Sequence, residues 1–381
     1  MVITKITIQL LIFTFFYYVT SSLADNPTYN VETFGATSDG DTYCTKAFSS
    51  AWAAACATTE PATIYVPSGR FMIENINFSG KLCKNKAITF RIDGTLVAPS
   101  DYNVIGSSDT WLKFDRVAGV SIYGGMIDGR GTDLWASKNS GKSCPKGATS
   151  LAFYNSNNIT INGLYSLNSQ MFHINIDKCH NVNLLNMKIS APANSPNTDG
   201  IHVQQSSDVV LMNSHIGTGD DCVSIGPGAS NFIGSLGWSM EEAGVQNVTV
   251  KTATFTGTQN GVRLKTWARP SNGFVKDVVF QHVVMVNVRY PIIIDQNYCP
   301  DQKNCPSQES GVRVSDIKYE DIHGTSATKV AVKFDCSKTY PCNGITLNEV
   351  NLTFKDKPAT SSCANAGGIA SGTVVQPTSC L

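Results

Sequence analysis

The chain carries little charge and no net charge. Only 15% of its 381 residues are charged, and 29 basic side chains balance 29 acidic ones at pH 7. Proteins that bind nucleic acid or an anionic membrane surface carry an excess of basic residues. The composition therefore argues against both as partners, while it leaves room for a small basic groove that binds an acidic ligand.

Long apolar runs are absent as well. The longest, at residues 6–19, is shorter than the roughly 20 residues that a membrane-spanning helix needs. Lys5 precedes this run and Ser-Leu-Ala follows it at 22–24, which is the pattern of a secretory signal peptide and its cleavage site. We therefore expect residues 1–24 to be removed and residues 25–381 to form a single secreted domain.

The 12 cysteines include no C-x-x-C pair and have no histidine cluster beside them. A zinc site is therefore not predicted, and no metal or other cofactor is expected. All 12 lie beyond residue 24, as expected for disulfides formed in an oxidising compartment. Spacing makes four pairs candidates without fixing their connectivity: Cys56–Cys83, Cys299–Cys305, Cys336–Cys342 and Cys363–Cys380. Sequons that fit a glycosylated protein lie at Asn77, Asn158, Asn247 and Asn351.

A short strand-like unit recurs along the chain, while helical periodicity is scarce. Each unit sets Asn or Asp beside β-branched residues, alternates polar and apolar residues, and ends at Gly, Asn or Ser, as in NNITINGLYSLNS. Such units, at intervals of roughly 23 to 30 residues, indicate a solenoid. Asn-Gly hairpin signals are scarce, so we predict an all-β, right-handed parallel β-helix. The leading apolar positions are Ile159, Val182, Val209, Val248, Val278, Ile317 and Ile345.

One N-terminal segment, TKAFSSAWAAAC, does have helical periodicity. Five apolar residues of this segment fall on one helical face. An amphipathic helix here would cover the open N-terminal end of the apolar core, which no further coil can cover. The five residues are Ala47, Phe48, Ala51, Trp52 and Ala55.

Three motifs carry candidate chemistry: NTDG, GDDC and RLK, which begin at residues 197, 219 and 263. Asp199 precedes Asp221 by about one coil, and stacked strands lie about 4.7–4.9 Å apart. The carboxylates of Asp199, Asp220 and Asp221 are therefore predicted to converge, which would raise the pKa of at least one of them. A single Asp beside Gly is more often a turn residue, so the prediction rests on all three together.

The RLK motif supplies two basic side chains. Arg263 and Lys265 are two residues apart, so in a strand they point to the same face. We place them two coils after the aspartates, where they would hold an anionic substrate against the carboxylates. Without the aspartates they would be interpreted as solvent-exposed charges.

These motifs, in this order, resemble the plant polygalacturonases, the pectin-cleaving members of glycoside hydrolase family 28. The resemblance runs from YNVETFGATSDGDT through PIIIDQNYC to the C-terminal cysteines. It implies a right-handed parallel β-helix and a secreted, monomeric enzyme of the cell wall. The implied reaction is hydrolysis of 1,4-linked α-D-galacturonosidic bonds of pectin with inversion and without a cofactor. The choice between endo and exo action stays open.

The resemblance also implies a role for each site residue. Asp220 would be the general acid, while Asp199 and Asp221 would activate water. In inverting glycosidases the acid and base are about 6.5–9.5 Å apart, and Arg and Lys suit a sugar carboxylate. For His202 the alternative is a structural role in the wall of the groove. The implied substrate-binding residues are Asn197, His202, Arg263, Lys265 and Tyr298.

The sequence departs from the family at one place, because the motif Cys-Gly-Pro-Gly-His-Gly is missing. The segments that flank this motif in the family, SIGPGASN and IGSLG, meet at Phe232. A strand at Phe232 would follow Val209 by 23 residues but precede Val248 by only 16, which is too few for a coil. We therefore predict a deletion of about 15 residues relative to a regular repeat.

The deletion leaves alternatives. The chain could be an active hydrolase with an impaired groove, a pectin-binding protein without catalysis, or an incomplete splice product or gene model. The family partner of Cys222 lies in the missing motif. Cys222 is therefore expected to be a free buried thiol or to pair with Cys179 or Cys144.

Overall fold

The computed structural model describes residues 26–225, 237, 239–299, 305–373 and 375–381. In these ranges no helix is both long and apolar enough to span a membrane. Residues 1–24 lie outside them, so the signal peptide and the mature start at Asp25 stay predictions. A single cluster of buried apolar residues extends from Val31 to Ala359.

Two long sheets coil around this core, sheet A with 19 strands and sheet B with ten. Sheet A contains β1 (Thr28–Asn30), β2 (Asp39–Tyr43), β3 (Ala62–Val66), β4 (Arg70–Met72), β6 (Ile88–Ile92), β7 (Thr95–Val97), β9 (Ala118–Tyr123), β10 (Met126–Asp128), β12 (Asn157–Asn162), β13 (Tyr165–Leu167), β15 (His180–Leu185), β16 (Lys188–Ser190), β18 (Ser207–Gly217), β20 (Val245–Thr256), β22 (Phe274–Val288), β24 (Arg313–Ser326), β26 (Cys342–Phe354), β27 (Lys357–Pro358) and β29 (Ala366–Ser371). Sheet B contains β5 (Ile76–Ser79), β8 (Thr110–Asp115), β11 (Thr149–Tyr154), β14 (Ile174–Asp177), β17 (Ile201–Gln204), β19 (Asp221–Ile225), β21 (Asn260–Trp267), β23 (Tyr290–Tyr298), β25 (Val330–Asp335) and β28 (Thr360–Ala364). The helices are a 3-10 turn (Val31–Phe34), α1 (Thr45–Ala57), α2 (Tyr102–Gly106) and α3 (Thr132–Asn139).

Each coil in the middle of the stack contributes two short strands to sheet A and one strand to sheet B. From β18 onward the two sheet A strands of a coil merge into one long strand. Every strand pairs in parallel with the equivalent strand of the next coil, except that β26 and β27 pair antiparallel. This arrangement confirms the predicted right-handed parallel β-helix.

The apolar positions of the sequence repeat form one inward-facing ladder. Val182 pairs with Val209, Val209 with Val248, and Val248 with Val278, and all four are buried. Coils on this ladder differ in length because their loops differ, from 27 residues between Val182 and Val209 to 39 between Val209 and Val248. The expected interval of 23 to 30 residues was therefore too narrow.

The Asn and Asp residues of the repeat occupy the corners of the coils. Asn158, Asn181 and Asp208 have φ of +55°, +56° and +56°, a left-handed conformation that Asn and Asp tolerate better than other non-glycine residues. Neighbouring corners also bond to each other, since Asn181 Nδ2 donates to Asn158 Oδ1 at 2.8 Å. This conformational demand explains why Asn or Asp precedes the β-branched residues of each unit.

Helix α1 covers the N-terminal end of the core, as predicted. The five residues of its expected apolar face are all buried. The Trp52 ring lies 5.4 Å from the Phe78 ring and 5.9 Å from the Phe114 ring. The disulfide Cys56–Cys83 joins the helix to the first coils.

The four candidate disulfides are all present: Cys56–Cys83, Cys299–Cys305, Cys336–Cys342 and Cys363–Cys380. The remaining cysteines, Cys44, Cys144, Cys179 and Cys222, are free thiols. Cys222 is completely buried, and its Sγ lies 3.2 Å from Thr258 Oγ1. The alternatives in which Cys222 pairs with Cys179 or Cys144 are therefore wrong.

The coil that follows the GDDC motif departs from the expected arrangement. β18 pairs directly with β20, and β19 pairs directly with β21, in continuous register. Arg263 therefore stands opposite Ser224 on the very next coil, and the prediction that the basic pair lies two coils after the aspartates is wrong. The expected strand at Phe232 lies outside the described residues.

Candidate active site

The predicted site residues gather on the outer face of sheet B, where β17, β19, β21 and β23 lie side by side. Asp199 comes two residues before β17, and Asp221 begins β19. Two motif glycines allow this close approach of neighbouring coils. A Cβ on Gly200 would lie 2.6 Å from the Cys222 carbonyl oxygen, and a Cβ on Gly219 would lie 2.0 Å from the Ser195 carbonyl oxygen.

The three aspartates converge as the sequence predicts. One carboxylate oxygen from each of Asp199, Asp220 and Asp221 lies within 4.8 Å of the other two. Asp199 and Asp221 are buried, with exposures of 1% and 0%, while Asp220 is partly exposed to solvent. Asp220 is thus the member of the cluster that faces the groove.

Lys265 lies inside this acidic cluster. Its Nζ is 2.9 Å from Asp221 Oδ2 and 3.3 Å from Asp199 Oδ2. Its side chain is only 5% exposed. The positive charge in contact with Asp199 and Asp221 is therefore the protein's own ammonium group.

Arg263 bridges the cluster to the next coil. Its guanidinium is 3.4 Å from Asp221 Oδ1 and 3.0 Å from Asp295 Oδ2. Its Nε has no hydrogen-bond partner among the described residues. The Tyr298 ring lies 4.9 Å from the Arg263 guanidinium and 5.5 Å from the Lys265 ammonium. Both basic residues therefore lie beside this ring.

The environments of the three carboxyl groups separate their protonation states. Burial raises the pKa of Asp220 well above its usual value, and the charges of Asp199 and Asp221 raise it further. Burial alone would also raise the pKa of Asp221. The charges of Lys265 and Arg263, with hydrogen bonds from Lys265 and Asn260, outweigh burial and lower it. The site thus holds one protonated carboxyl group beside an ionised one, the separation that acid–base catalysis needs.

His202 is completely buried beneath the carboxylates rather than exposed in the groove. Ser224 Oγ donates to Asp199 Oδ2 at 2.7 Å and lies 2.5 Å from His202 Nδ1, so Nδ1–H donates to the serine oxygen. Burial lowers the pKa of His202, and the Phe172 ring stacks on it at 4.9 Å. Direct contact between His202 and a substrate is therefore wrong for this structure, and the structural alternative is correct.

The remaining predicted residue and three unpredicted ones complete the site. Asn197 is exposed at a left-handed corner, with φ of +56°. Asn260 Nδ2 donates to Asp221 Oδ1 at 2.6 Å, and Asp295 and Ser224 make the contacts given above. The segments NGVRLK, PIIIDQNYC and GDDCVS contain these three residues beside predicted ones, but spacing alone did not mark them.

Two depressions adjoin the cluster and share Gln259 in their linings. One, of about 340 Å³, is lined by residues that include Asn260, Arg263, Tyr290 and Lys333. The other, of about 490 Å³, is lined by residues that include Gly219. A polymeric ligand could therefore occupy space on both sides of Asp220.

Comparison with known proteins agrees with this geometry. Residues 56–376 match the model of glycosyl hydrolases family 28. A polygalacturonase of Prunus persica is 59% identical over 382 aligned positions, which cover 96% of this chain and 97% of that protein. The chain belongs to this family. It is therefore a glycoside hydrolase by descent, as the resemblance implied.

Other members of family 28 are more distant. An exopolygalacturonase of Platanus acerifolia is 39% identical, with 92% of this chain and 97% of that protein covered. Among solved structures, an endo-xylogalacturonan hydrolase of Aspergillus tubingensis superposes with a TM-score of 0.69 at 20% identity, covering 91% of this chain and 99% of that one. The second comparison shows the shared fold alone.

The alignment with the Prunus persica protein also bears on chain length. Its 382 positions cover only 96% of 381 residues, about 366, so about 16 positions of the relative have no counterpart in this chain. This number is close to the predicted deletion, although it doesn't locate the missing residues.

Proposed function

We propose that this chain is a polygalacturonase that hydrolyses 1,4-linked α-D-galacturonosidic bonds of pectin. The observation that carries the proposal is one groove-facing, protonated carboxyl group, Asp220, beside two buried carboxylates, Asp199 and Asp221. In this mechanism Asp220 donates its proton to the glycosidic oxygen as the bond breaks. The paired carboxylates accept a proton from the attacking water.

The substrate is an anionic sugar polymer, and Arg263 suits it. Its guanidinium keeps an unused Nε–H donor and lines the depression beside Asn260. A planar guanidinium recognises a carboxylate through paired donors. Tyr298 lies against the same guanidinium and supplies an apolar face for a sugar ring. Asn197, exposed at the entrance, would donate to hydroxyl groups.

The carboxylate spacing bears on stereochemistry. A separation within 4.8 Å is shorter than the 6.5–9.5 Å usual for inverting enzymes. Asp221, however, is a poor nucleophile, because Asn260 and Arg263 bind its Oδ1 and Lys265 binds its Oδ2. Direct attack by water, and hence inversion, is therefore the outcome that we propose.

Reducing-end release from polygalacturonate by the purified secreted protein tests the proposal. We expect release by the wild type and its loss in Asp220→Asn, which removes the transferable proton. NMR of the first anomer formed tests inversion, and product lengths from a defined oligogalacturonide separate endo from exo action. Binding of the polymer without any release would contradict the proposal.

Secretion to the cell wall as a monomer is part of the same proposal. The apolar N-terminal run and the four disulfides support an extracellular location. N-terminal sequencing of the protein recovered from the medium of an expressing plant cell should begin at Asp25. Light scattering should give the mass of one chain.

A further inference from the structure

Lys265 is placed where it cannot readily serve an external ligand. Its ammonium has three N–H donors, and two of them are directed at Asp221 Oδ2 and Asp199 Oδ2, at 2.9 and 3.3 Å. The Tyr298 ring covers it at 5.5 Å, and its side chain is 5% exposed. A sugar carboxylate would have to displace two internal carboxylates to reach it.

The charges around Lys265 show what it does instead. The groups that face it are the carboxylates of Asp199, Asp220 and Asp221, the guanidinium of Arg263 and the phenol of Tyr298. Arg263 divides its charge between Asp221 and Asp295. Among the described residues, Lys265 is therefore the one cation that contacts both Asp199 and Asp221.

Two buried carboxylates this close cannot both be ionised without a shared counter-charge, because desolvation and mutual repulsion favour protonation of one of them. With the ammonium between them, both can be ionised. The proton that the cluster retains then belongs to Asp220, which no cation contacts among the described groups and which repels a second negative charge less when protonated.

We propose that Lys265 is a positioning residue that holds Asp199 and Asp221 ionised and side by side, so that Asp220 alone carries the transferable proton. The proposal deepens the proposed function and rests on it for its catalytic part. It differs from a role in substrate binding, in which Lys265 would contact a galacturonate carboxylate.

Lys265→Met separates the two roles by kinetics. Loss of an opposite charge raises the pKa of a carboxyl group by about 1–3 units. The acidic limb of the kcat profile should therefore move up by about 1–3 pH units, and kcat at the wild-type optimum should fall about 10²-fold, with little change in KM. A rise in KM with an unmoved acidic limb would identify Lys265 as a substrate ligand and overturn the proposal.

Two further variants control this experiment. Lys188 is exposed on β16 of sheet A, with its Nζ over the Tyr165 ring at 4.7 Å, so Lys188→Met should leave the kcat profile unchanged. Lys265→Arg keeps the charge, so its acidic limb should stay near that of the wild type even where kcat falls. An acidic limb that moves equally in the Arg and Met variants would contradict a role for the charge.

Stability against pH gives a readout without substrate. The pKa of Asp221 is lowered in the folded wild type, so its stabilisation is full above the unfolded pKa of about 3.9 and is lost as pH falls further. In Lys265→Met the carboxyl groups instead have raised pKa values and destabilise the fold as pH rises. The Tm of the wild type minus that of Lys265→Met should therefore increase from pH 3 to pH 7.

The two proposals can fail separately. A wild type that releases no reducing ends refutes the proposed function but leaves the Tm comparison intact. A Tm difference that stays constant between pH 3 and pH 7 refutes the role of Lys265, even where the wild type is active. If Lys265→Met does not fold, the double variant Lys265→Met/Asp199→Asn removes the cation with one carboxylate, and its recovery of folding supports the pairing. Failure of the double variant to recover would oppose it.

Discussion

The outer faces of sheets A and B treat charge in opposite ways. On sheet A the pairs His180–Asp208 and His282–Asp321, at 2.8 and 2.7 Å, have side chains that are 41% to 63% exposed. On sheet B the Lys265–Asp221 pair, at 2.9 Å, is 5% and 0% exposed. Buried ion pairs are poor contributors to stability, because desolvation offsets attraction. The charges buried on sheet B therefore indicate function, whereas those on sheet A are ordinary surface pairs.

The comparison is sharpest for activity. Asp220→Asn on the sheet B side should lower kcat by about 10²–10⁴-fold, because the amide cannot supply the proton. Asp208→Asn, an equal loss of charge on sheet A, should leave kcat within about twofold of the wild type. Initial rates of reducing-end release measure both, and equal losses in the two variants would erase the distinction between the faces.

Stability should separate the faces next. Asp221→Ala leaves the Lys265 ammonium buried with one partner fewer, and we expect a loss of about 3 kcal/mol in the free energy of unfolding. Asp321→Ala breaks an exposed pair and should cost at most about 1 kcal/mol. Urea denaturation of the two variants checks this. A cost for Asp321→Ala as large as that for Asp221→Ala would contradict the comparison.

Two buried serines test the difference on a finer scale. Ser224→Ala on sheet B removes the hydroxyl between Asp199 and His202, so kcat should fall about tenfold while KM stays near that of the wild type. Ser214 on sheet A accepts from the Met187 backbone N–H at 3.1 Å. Ser214→Ala should lower stability by about 1 kcal/mol without changing kcat, and a loss of kcat there would show that buried serines affect catalysis from either sheet.

The smallest effect concerns the thiols. Alkylation of the unfolded, unreduced protein should modify four cysteines, because four disulfides protect the other eight. In the native protein Cys144, the one partly exposed free thiol, should react first, while Cys222 stays unmodified. Mass spectrometry of the peptides gives the order. Early modification of Cys222 would mean that the coil of the active site opens readily.

Much of this architecture follows from local rules. The β-branched ladder, the Asn and Asp corners and the apolar face of α1 each depend on a residue's own conformational preference and burial. The convergence of Asp199 and Asp221 followed from strand spacing once both lay on adjacent coils. Four disulfides were anticipated because short spacings bring cysteines within bonding reach.

Other features depend on distances that no local pattern encodes. The number of residues in a coil varies with its loops, so Phe232 was interpreted as a strand position where β18 in fact pairs directly with β20. That error placed Lys265 two coils from Asp221, when the two side chains are in contact. The burial of His202 also escaped prediction, because it depends on Phe172 and Ser224 from neighbouring coils.

The uniform pairing of the coils has one more consequence. Because β17, β19 and β21 pair with the same parallel geometry, the stack is modular, and excision of a whole turn leaves two edges that still match. Side chains above the cut then descend by a full strand spacing of about 4.8 Å. Evolution can thereby shift a group such as Lys265 in discrete steps, from a place beside the substrate to one among the acids, without redesigning the scaffold.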